Sequence, residues 1–193
     1  MPSTNILIVY YSKHGNTHKM AKLIARGVES VENTNAVLRA VDPMNESFEP
    51  NDPLVSEEDV ECCDGLILGS PAQFGNMATP LKNFIDATGN QWFSGTLIDK
   101  PGAVFTSSSS LHGGQETTLL TMMLPLLHHG MVVLGLPYSE KALLNTESGG
   151  TPYGASHWSG NGSDRKIDKN EKSLCLALGK RMAKAAIKLK AKH

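Results

Sequence analysis

Ile6-Leu7-Ile8-Val9-Tyr10-Tyr11-Ser12-Lys13-His14-Gly15-Asn16-Thr17 is the stretch on which the reading of this chain turns. Its first half is an unbroken apolar run rich in β-branched and aromatic residues, as expected of a parallel strand buried on both faces. Its second half is a turn of small, hydroxylated and amide residues leading into Met20-Ala21-Lys22-Leu23-Ile24, where helical spacing begins. A strand, a tight loop and a helix in succession aim backbone N–H groups and the positive helix end at one point. Ser12, Asn16 and Thr17 add side-chain donors, so an anion, most naturally a phosphate, is expected there. Neither the dinucleotide pattern G-x-G-x-x-G nor the triphosphate pattern G-x-x-x-x-G-K-[ST] is present.

Two more apolar runs empty into polar, glycine-bearing loops. Gly65 to Ser70 leads into Pro71-Ala72-Gln73-Phe74-Gly75-Asn76, and Gly102 to Thr106 leads into Ser107-Ser108-Ser109-Ser110-Leu111-His112-Gly113. Ala36 to Val41 and Met131 to Leu136 read as the second and fifth strands. Helices are expected over about 17–31, in a short piece after Ser56, from Thr79-Pro80, from Gln115 and from about Asn170. Pro125 should kink or restart the fourth of these, and Gly130 should end it in the left-handed conformation. Alternating strands and helices imply one α/β domain over 1–193, a parallel sheet with helices on both faces. In such sheets ligands sit beyond the carboxyl ends of the strands, where the loops 12–17, 71–76 and 107–114 should meet.

Bulk properties narrow the partners. The formal net charge is −1, which favours neither a nucleic acid nor an anionic membrane, and no apolar run approaches the roughly 20 residues of a membrane helix. Cys62, Cys63 and Cys175 form no disulfide framework and no metal-ligand spacing, so no metal is expected, and the cytoplasm is the default compartment. Cys62 and Cys63 read as small core-facing residues. Residues 42–55, with three prolines and two asparagines, read as an irregular surface excursion. Residues 137–170 are too long for an ordinary connection and carry Tyr153, His157 and Trp158, aromatics that a monomer would struggle to bury. That segment is expected at a subunit interface.

Five separated motifs together resemble the WrbA-like NAD(P)H:quinone oxidoreductases of the flavodoxin superfamily. They are Tyr10-Tyr11-Ser12 with Gly15, Phe74-Gly75-Asn76-Met77, Gly113-Gly114-Gln115-Glu116, His128-His129-Gly130-Met131 and Gly150-Thr151-Pro152-Tyr153-Gly154-Ala155. The resemblance implies a flavodoxin-like, doubly wound sheet of five parallel strands in the order 2-1-3-4-5. It also implies one FMN per subunit, two-electron ping-pong reduction of a quinone by NADH or NADPH, and a homotetramer, with a dimer as the smaller possibility.

Carried over by position, Ser12, Lys13, His14, Gly15, Asn16 and Thr17 would hold the FMN phosphate. Pro71, Ala72, Gln73, Phe74, Gly75 and Asn76 would line the isoalloxazine ring, and Ser107, Ser108, Ser109, Ser110, Leu111, His112 and Gly113 would follow its other edge. His128 would approach the ring, and Trp92, on a loop expected at the ligand edge, would form the aromatic wall of the substrate pocket. The chain departs from the family's usual P-T-R-F-G-N by having Ala72 and Gln73, and from its best-known members by having His14 where they carry a tyrosine. A flavodoxin-type single-electron carrier and a scaffold without cofactor are the competing readings. Carriers tend to have an acidic docking face, for which this chain has little excess charge.

Overall fold

A computed structural model describes residues 3–190. The first apolar run forms β1 (Thr4–Tyr10), which passes through the 11–15 loop into α1 (Asn16–Glu29). Next come β2 (Thr34–Ala40), α2 (Glu57–Cys62) and β3 (Gly65–Pro71). The chain continues through α3 (Thr79–Ala87), α4 (Gly89–Phe93), β4 (Pro101–Ser108) and α5 (Gln115–His128). The last third holds β5 (Val132–Val133), α6 (Ala142–Asn145), β6 (Ala155–Trp158) and α7 (Lys169–Lys190). The strands are parallel in the order β2-β1-β3-β4-β5, as expected.

Alternation along the strands divides the core in two. Ile6, Ile8, Ile67 and Phe105 face α1 and α7, where they meet Met20, Ile24, Leu174, Leu178 and Met182. Leu7, Val9, Leu66, Leu68 and Val104 face the other layer, packing on Leu81 of α3 and Leu119, Met122 and Leu126 of α5. Helices α1 and α7 approach backbone to backbone: a Cβ built on Gly179 would stand 2.0 Å from the carbonyl oxygen of Ile24. That contact fixes the height of α1, and with it the position of its amino end.

Three local expectations change. Helix α5 runs through Pro125 to His128 without interruption, and Gly130, at φ 74, ends it as expected. Cys62 is exposed; Cys63 and Cys175 are the buried thiols, and burial pushes the Cys63 thiol up to about 11. The fifth strand position is shared. Only Val132–Val133 pairs with the start of β4, at Pro101 and Gly102. The chain then leaves the sheet and returns as β6, which pairs with the carboxyl half of β4 from Phe105–Ala155 to Ser108–Trp158. His157 is therefore fully buried within the chain, not an exposed aromatic. Its Nδ1 lies 2.9 Å from Oε2 of Glu171, while the Trp158 indole N–H donates to the carbonyl of Ser109 at 3.1 Å. These bonds account for His157 and Trp158 within the chain, while Tyr153, the third aromatic of the segment, stays exposed.

Candidate functional site

Three loops converge beyond the carboxyl ends of β1, β3 and β4 around a cavity of about 730 Å³. Ser12, Lys13, His14, Asn16, Thr17, Pro71, Ala72, Gln73, Phe74, Ser107, Ser108 and Ser109 all reach it. The 12–17 loop turns sharply because Gly15 adopts φ 79, and no cap side chain bonds to the helix end that follows it. A side chain there would have open space but a strained backbone. Ser12 Oγ accepts from the backbone N–H of His18 at 3.1 Å, which leaves its own hydrogen free to point elsewhere. Thr17 Oγ1 and Ser107 Oγ lie 3.0 Å apart, joining the first and third loops beneath the cavity.

The 71–76 loop is a tight reversal. Gln73 and Asn76 exchange both backbone hydrogen bonds, at 2.8 and 3.0 Å, and the two residues between them, Phe74 and Gly75, have φ 50 and 75. A positive φ is strained for a bulky side chain, and the Phe74 ring stands completely exposed beside the cavity. An apolar ring held in a costly backbone conformation and in full contact with water is what a planar ligand or a neighbouring chain would cover. The Asn76 side chain is occupied locally, accepting from Met77 N–H at 2.8 Å.

The chain also supplies walls that the sequence reading missed. Tyr11, Glu46, Met77, Ala78, Ser159 and Ser163 line the same cavity. The 42–55 excursion lies against its rim because the Tyr10 hydroxyl donates to Asp52 at 2.5 Å and the Tyr11 hydroxyl to Glu46 at 2.9 Å. Lys13 completes the latch, 2.5 Å from Glu46. The ammonium of Lys13, then the Tyr11 hydroxyl, holds the Glu46 carboxyl below its ordinary range. Among the described residues this pair and His14 are the charged or titratable groups of the cavity apart from the Tyr11 phenol, whose pKa burial pushes up. Three prolines and two asparagines signalled a loop; only the side-chain bonds show where it folds.

Other expected residues do not reach the cavity. Gly15, Gly75 and Asn76 shape the loops from behind, and Ser110, Leu111, His112 and Gly113 lie past the lining serines. Trp92 and His128 do adjoin each other, the Trp92 indole N–H donating to the His128 carbonyl at 2.9 Å. They stand at the opposite edge of the sheet, however. Helix α5 starts beside the cavity and runs antiparallel to β4, so its end is about 20 Å away by its 14 residues. There Val132 N–H bonds to Lys100 and Asp99 N–H to Gly130, at the amino end of β4. The expectation that Trp92 lies on the ligand edge is thus corrected: a connection between α3 and β4 has to cross the amino edge. His129 is structural, with Nε2 2.9 Å from the Thr88 hydroxyl; burial, then neighbouring His128, lowers its pKa.

Beside this edge lies an apolar stripe. Leu120, Leu124 and Leu127 project from the outer face of α5, and Trp92, Phe93 and Ile98 are also exposed. Among the described residues no group of three or more His, Cys, Asp or Glu side chains could hold a metal ion. No helix among them is long and apolar enough to cross a membrane.

Known proteins share this arrangement. A family model described as NADPH-dependent FMN reductase matches residues 4–141. A Syntrophobacter fumaroxidans protein named NAD(P)H dehydrogenase (quinone) is 40% identical over 95% of this chain and 98% of its own length. A Geobacter sulfurreducens protein of the same name is 40% identical over 96% and 98%. The crystal structure of a flavodoxin, WrbA-like protein from Agrobacterium tumefaciens superposes with a TM-score of 0.71 at 26% identity, covering 96% of this chain and 99% of that one. With its sheet order, its cavity and these relatives agreeing, the chain belongs to the NADPH-dependent FMN reductase family, among the WrbA-like NAD(P)H dehydrogenases (quinone).

Proposed function

We propose that this protein is an FMN-dependent NAD(P)H:quinone oxidoreductase, with one FMN in the carboxyl-edge cavity of each subunit. The observation that carries the reading is the division of that cavity into a polar end and an apolar wall. The polar end joins the start of α1, where only the His18 N–H is taken up by a side chain, to the hydroxyls of Ser12, Thr17, Ser107, Ser108 and Ser109, a neutral donor set suited to one phosphate. The apolar wall, Pro71, Ala72, Phe74, Met77 and Ala78, suits the faces of a planar ring. Its volume is that of a small-molecule site, and the Glu46 carboxylate at its rim is held by Lys13.

FMN, when bound, supplies the two-electron redox chemistry between nicotinamide nucleotide and quinone. The chain's part is to hold and orient. The 12–17 loop would hold the phosphate, and the 71–76 loop, with Gln73 and the exposed Phe74 ring, would line the flavin and keep water from it. A one-electron carrier fits less well, since a net charge of −1 leaves little excess acid for docking and its near relatives are named for an enzyme.

Assembly completes the site in this reading. Trp92 and His128 lie too far from their own chain's cavity to touch its ligand. Covering the Leu120–Leu124–Leu127 stripe with another copy would bury it and carry Trp92 and His128 toward a neighbour's flavin, where the histidine can steady a quinone oxygen as it gains charge. Closed two-fold symmetry gives a homotetramer, or a dimer as its smaller unit. Three free thiols suit a reducing compartment, the cytoplasm.

The decisive experiment is stopped-flow mixing of the flavin-loaded protein with NADH or NADPH, followed by a benzoquinone. Bleaching of the flavin band by one nucleotide and its return with quinone are expected. Ser12→Ala and Thr17→Ala should each weaken FMN by about 1–3 kcal/mol, the scale of hydrogen bonds to a charged group. A colourless protein that takes up no added FMN would overturn the reading.

A further inference from the structure

Ser159 and Ser163 reach the polar end of the cavity from a segment that is neither strand nor helix, the strap between Trp158 and Arg165. The strap is tied to two of the three ligand loops. Ser159 N–H and Oγ both donate to the Ser108 carbonyl, at 2.8 and 3.0 Å. The Asn16 side-chain amide donates to the Ser163 carbonyl at 2.9 Å. The Arg165 guanidinium stacks 4.6 Å over the Trp158 ring and donates to the Trp158 carbonyl at 3.0 Å.

What pins the strap is a carboxylate with no exposure at all. Glu171, in the first turn of α7, accepts from Gly149 N–H at 3.0 Å, Trp158 N–H at 3.0 Å and Arg165 at 3.4 Å through Oε1. Through Oε2 it accepts from His157 Nδ1 and Asp168 N–H, both at 2.9 Å. A buried charge is costly unless its oxygens are this fully bonded. Removing Oε1 would strand the Gly149 and Trp158 N–H groups, before β6 and in it, and removing Oε2 would strand the Asp168 N–H, after the strap. The ring wall belongs to another part of the chain, residues 71–78, which the strap does not carry.

Resting on the FMN reading above, we infer that Glu171 is a positioning residue for the phosphate end of the site. It holds the strap so that Ser159 and Ser163 close the pocket beside Ser12, Asn16 and Ser107, and so makes the site prefer a phosphorylated flavin over the same flavin without phosphate.

The test measures dissociation constants of FMN and riboflavin on the apoprotein by quenching of flavin fluorescence, for the native chain, Glu171→Gln and Arg165→Ala. The native chain should prefer FMN. Glu171→Gln should lose about tenfold or more in FMN affinity, and Arg165→Ala about threefold to tenfold, while riboflavin moves by less than about twofold. Near-ultraviolet circular dichroism of each apoprotein establishes that it is folded, and if Glu171→Gln does not fold, Arg165→Ala decides alone. Equal losses for the two flavins, as a general loosening would give, or an unchanged FMN affinity in a folded variant, overturn the inference. A native chain that binds neither flavin overturns the FMN reading itself, which native FMN binding with indifferent variants would leave standing.

Discussion

At the scale of single residues, the 12–17 loop was legible from its own sequence, because a turn between a buried strand and a helix needs only local chemistry. Glu46, Ser159 and Ser163 were not legible. Each reaches the cavity through a partner far along the chain: Tyr11 for Glu46, 35 residues away, and Asn16 for Ser163, 147 residues away. Charge pairing at this scale also sets the response to acid. Burial by itself would raise the carboxyls of Glu171, Asp168 and Asp59. Bonds from His157 to Glu171, from Ser148 to Asp168 and from Arg39 to Asp59 outweigh it and leave all three below their ordinary range. Groups depressed on folding add stability that is complete above their unfolded pKa of about 4 and is lost as pH falls through the lower folded values. The lowered His129 and His18 act in the same sense from higher pH, because the unfolded imidazole takes up its proton near about 6.5, before the folded one does. The melting temperature of the apoprotein should therefore decline gently below about pH 6.5 and fall steeply below about 4. The Glu171→Gln variant should start lower and fall less. A native melting temperature that rises on acidification would contradict these assignments.

At the scale of elements, the apolar runs marked β1, β3 and β4 because each is buried on both faces, and β2 was marked by a shorter run that is half-buried at the edge. The split of the fifth position was hidden. Ala155-Ser156-His157-Trp158 has no apolar run, and its buried histidine is satisfied by Glu171, in a different element. The passage of α5 through Pro125 was misjudged for a related reason: packing of Met122 and Leu126 on the sheet outweighs one missing backbone bond. Helix α7 illustrates the reverse conflict. Alanine is a better helix former than glycine by about 1 kcal/mol, yet at position 179 its Cβ would press on the Ile24 carbonyl. Overpacking should win, so Gly179→Ala should destabilise by about 1–3 kcal/mol in urea unfolding. It should also loosen FMN, since α1 carries the 12–17 loop. A stabilised variant would mean that the two helices stand further apart.

At the scale of the molecule, the parallel sheet and its ligand edge followed from the alternation of strands and helices, and the order of the strands from the family resemblance. The expected contact surface rested instead on side chains whose partners lie far along the chain. His157 and Trp158 counted as unpaired only while their partners, Glu171 and the Ser109 carbonyl, were unknown. The exposed leucines of α5 escaped notice because a helix apolar on both faces shows little periodicity. Under the assembly proposed above, Leu124→Glu should yield a smaller species by light scattering. It should lose quinone reductase turnover while keeping bound FMN, because the phosphate loop is untouched. A monomer of full activity would exclude the shared site. Trp92→Ala in the intact assembly should raise KM for quinone and nucleotide together, as both would use that surface.

The separation of Trp92 and His128 from the cavity of their own chain has a genetic counterpart. If each working site draws its phosphate loop from one subunit and its aromatic wall from another, lesions in the two halves belong to different complementation groups of a single gene. A chain disabled at Thr17 and a chain disabled at His128, each inactive alone, should rescue one another when co-expressed. Random mixing in equal amounts should restore about a quarter of the native sites, each built from two different defective copies.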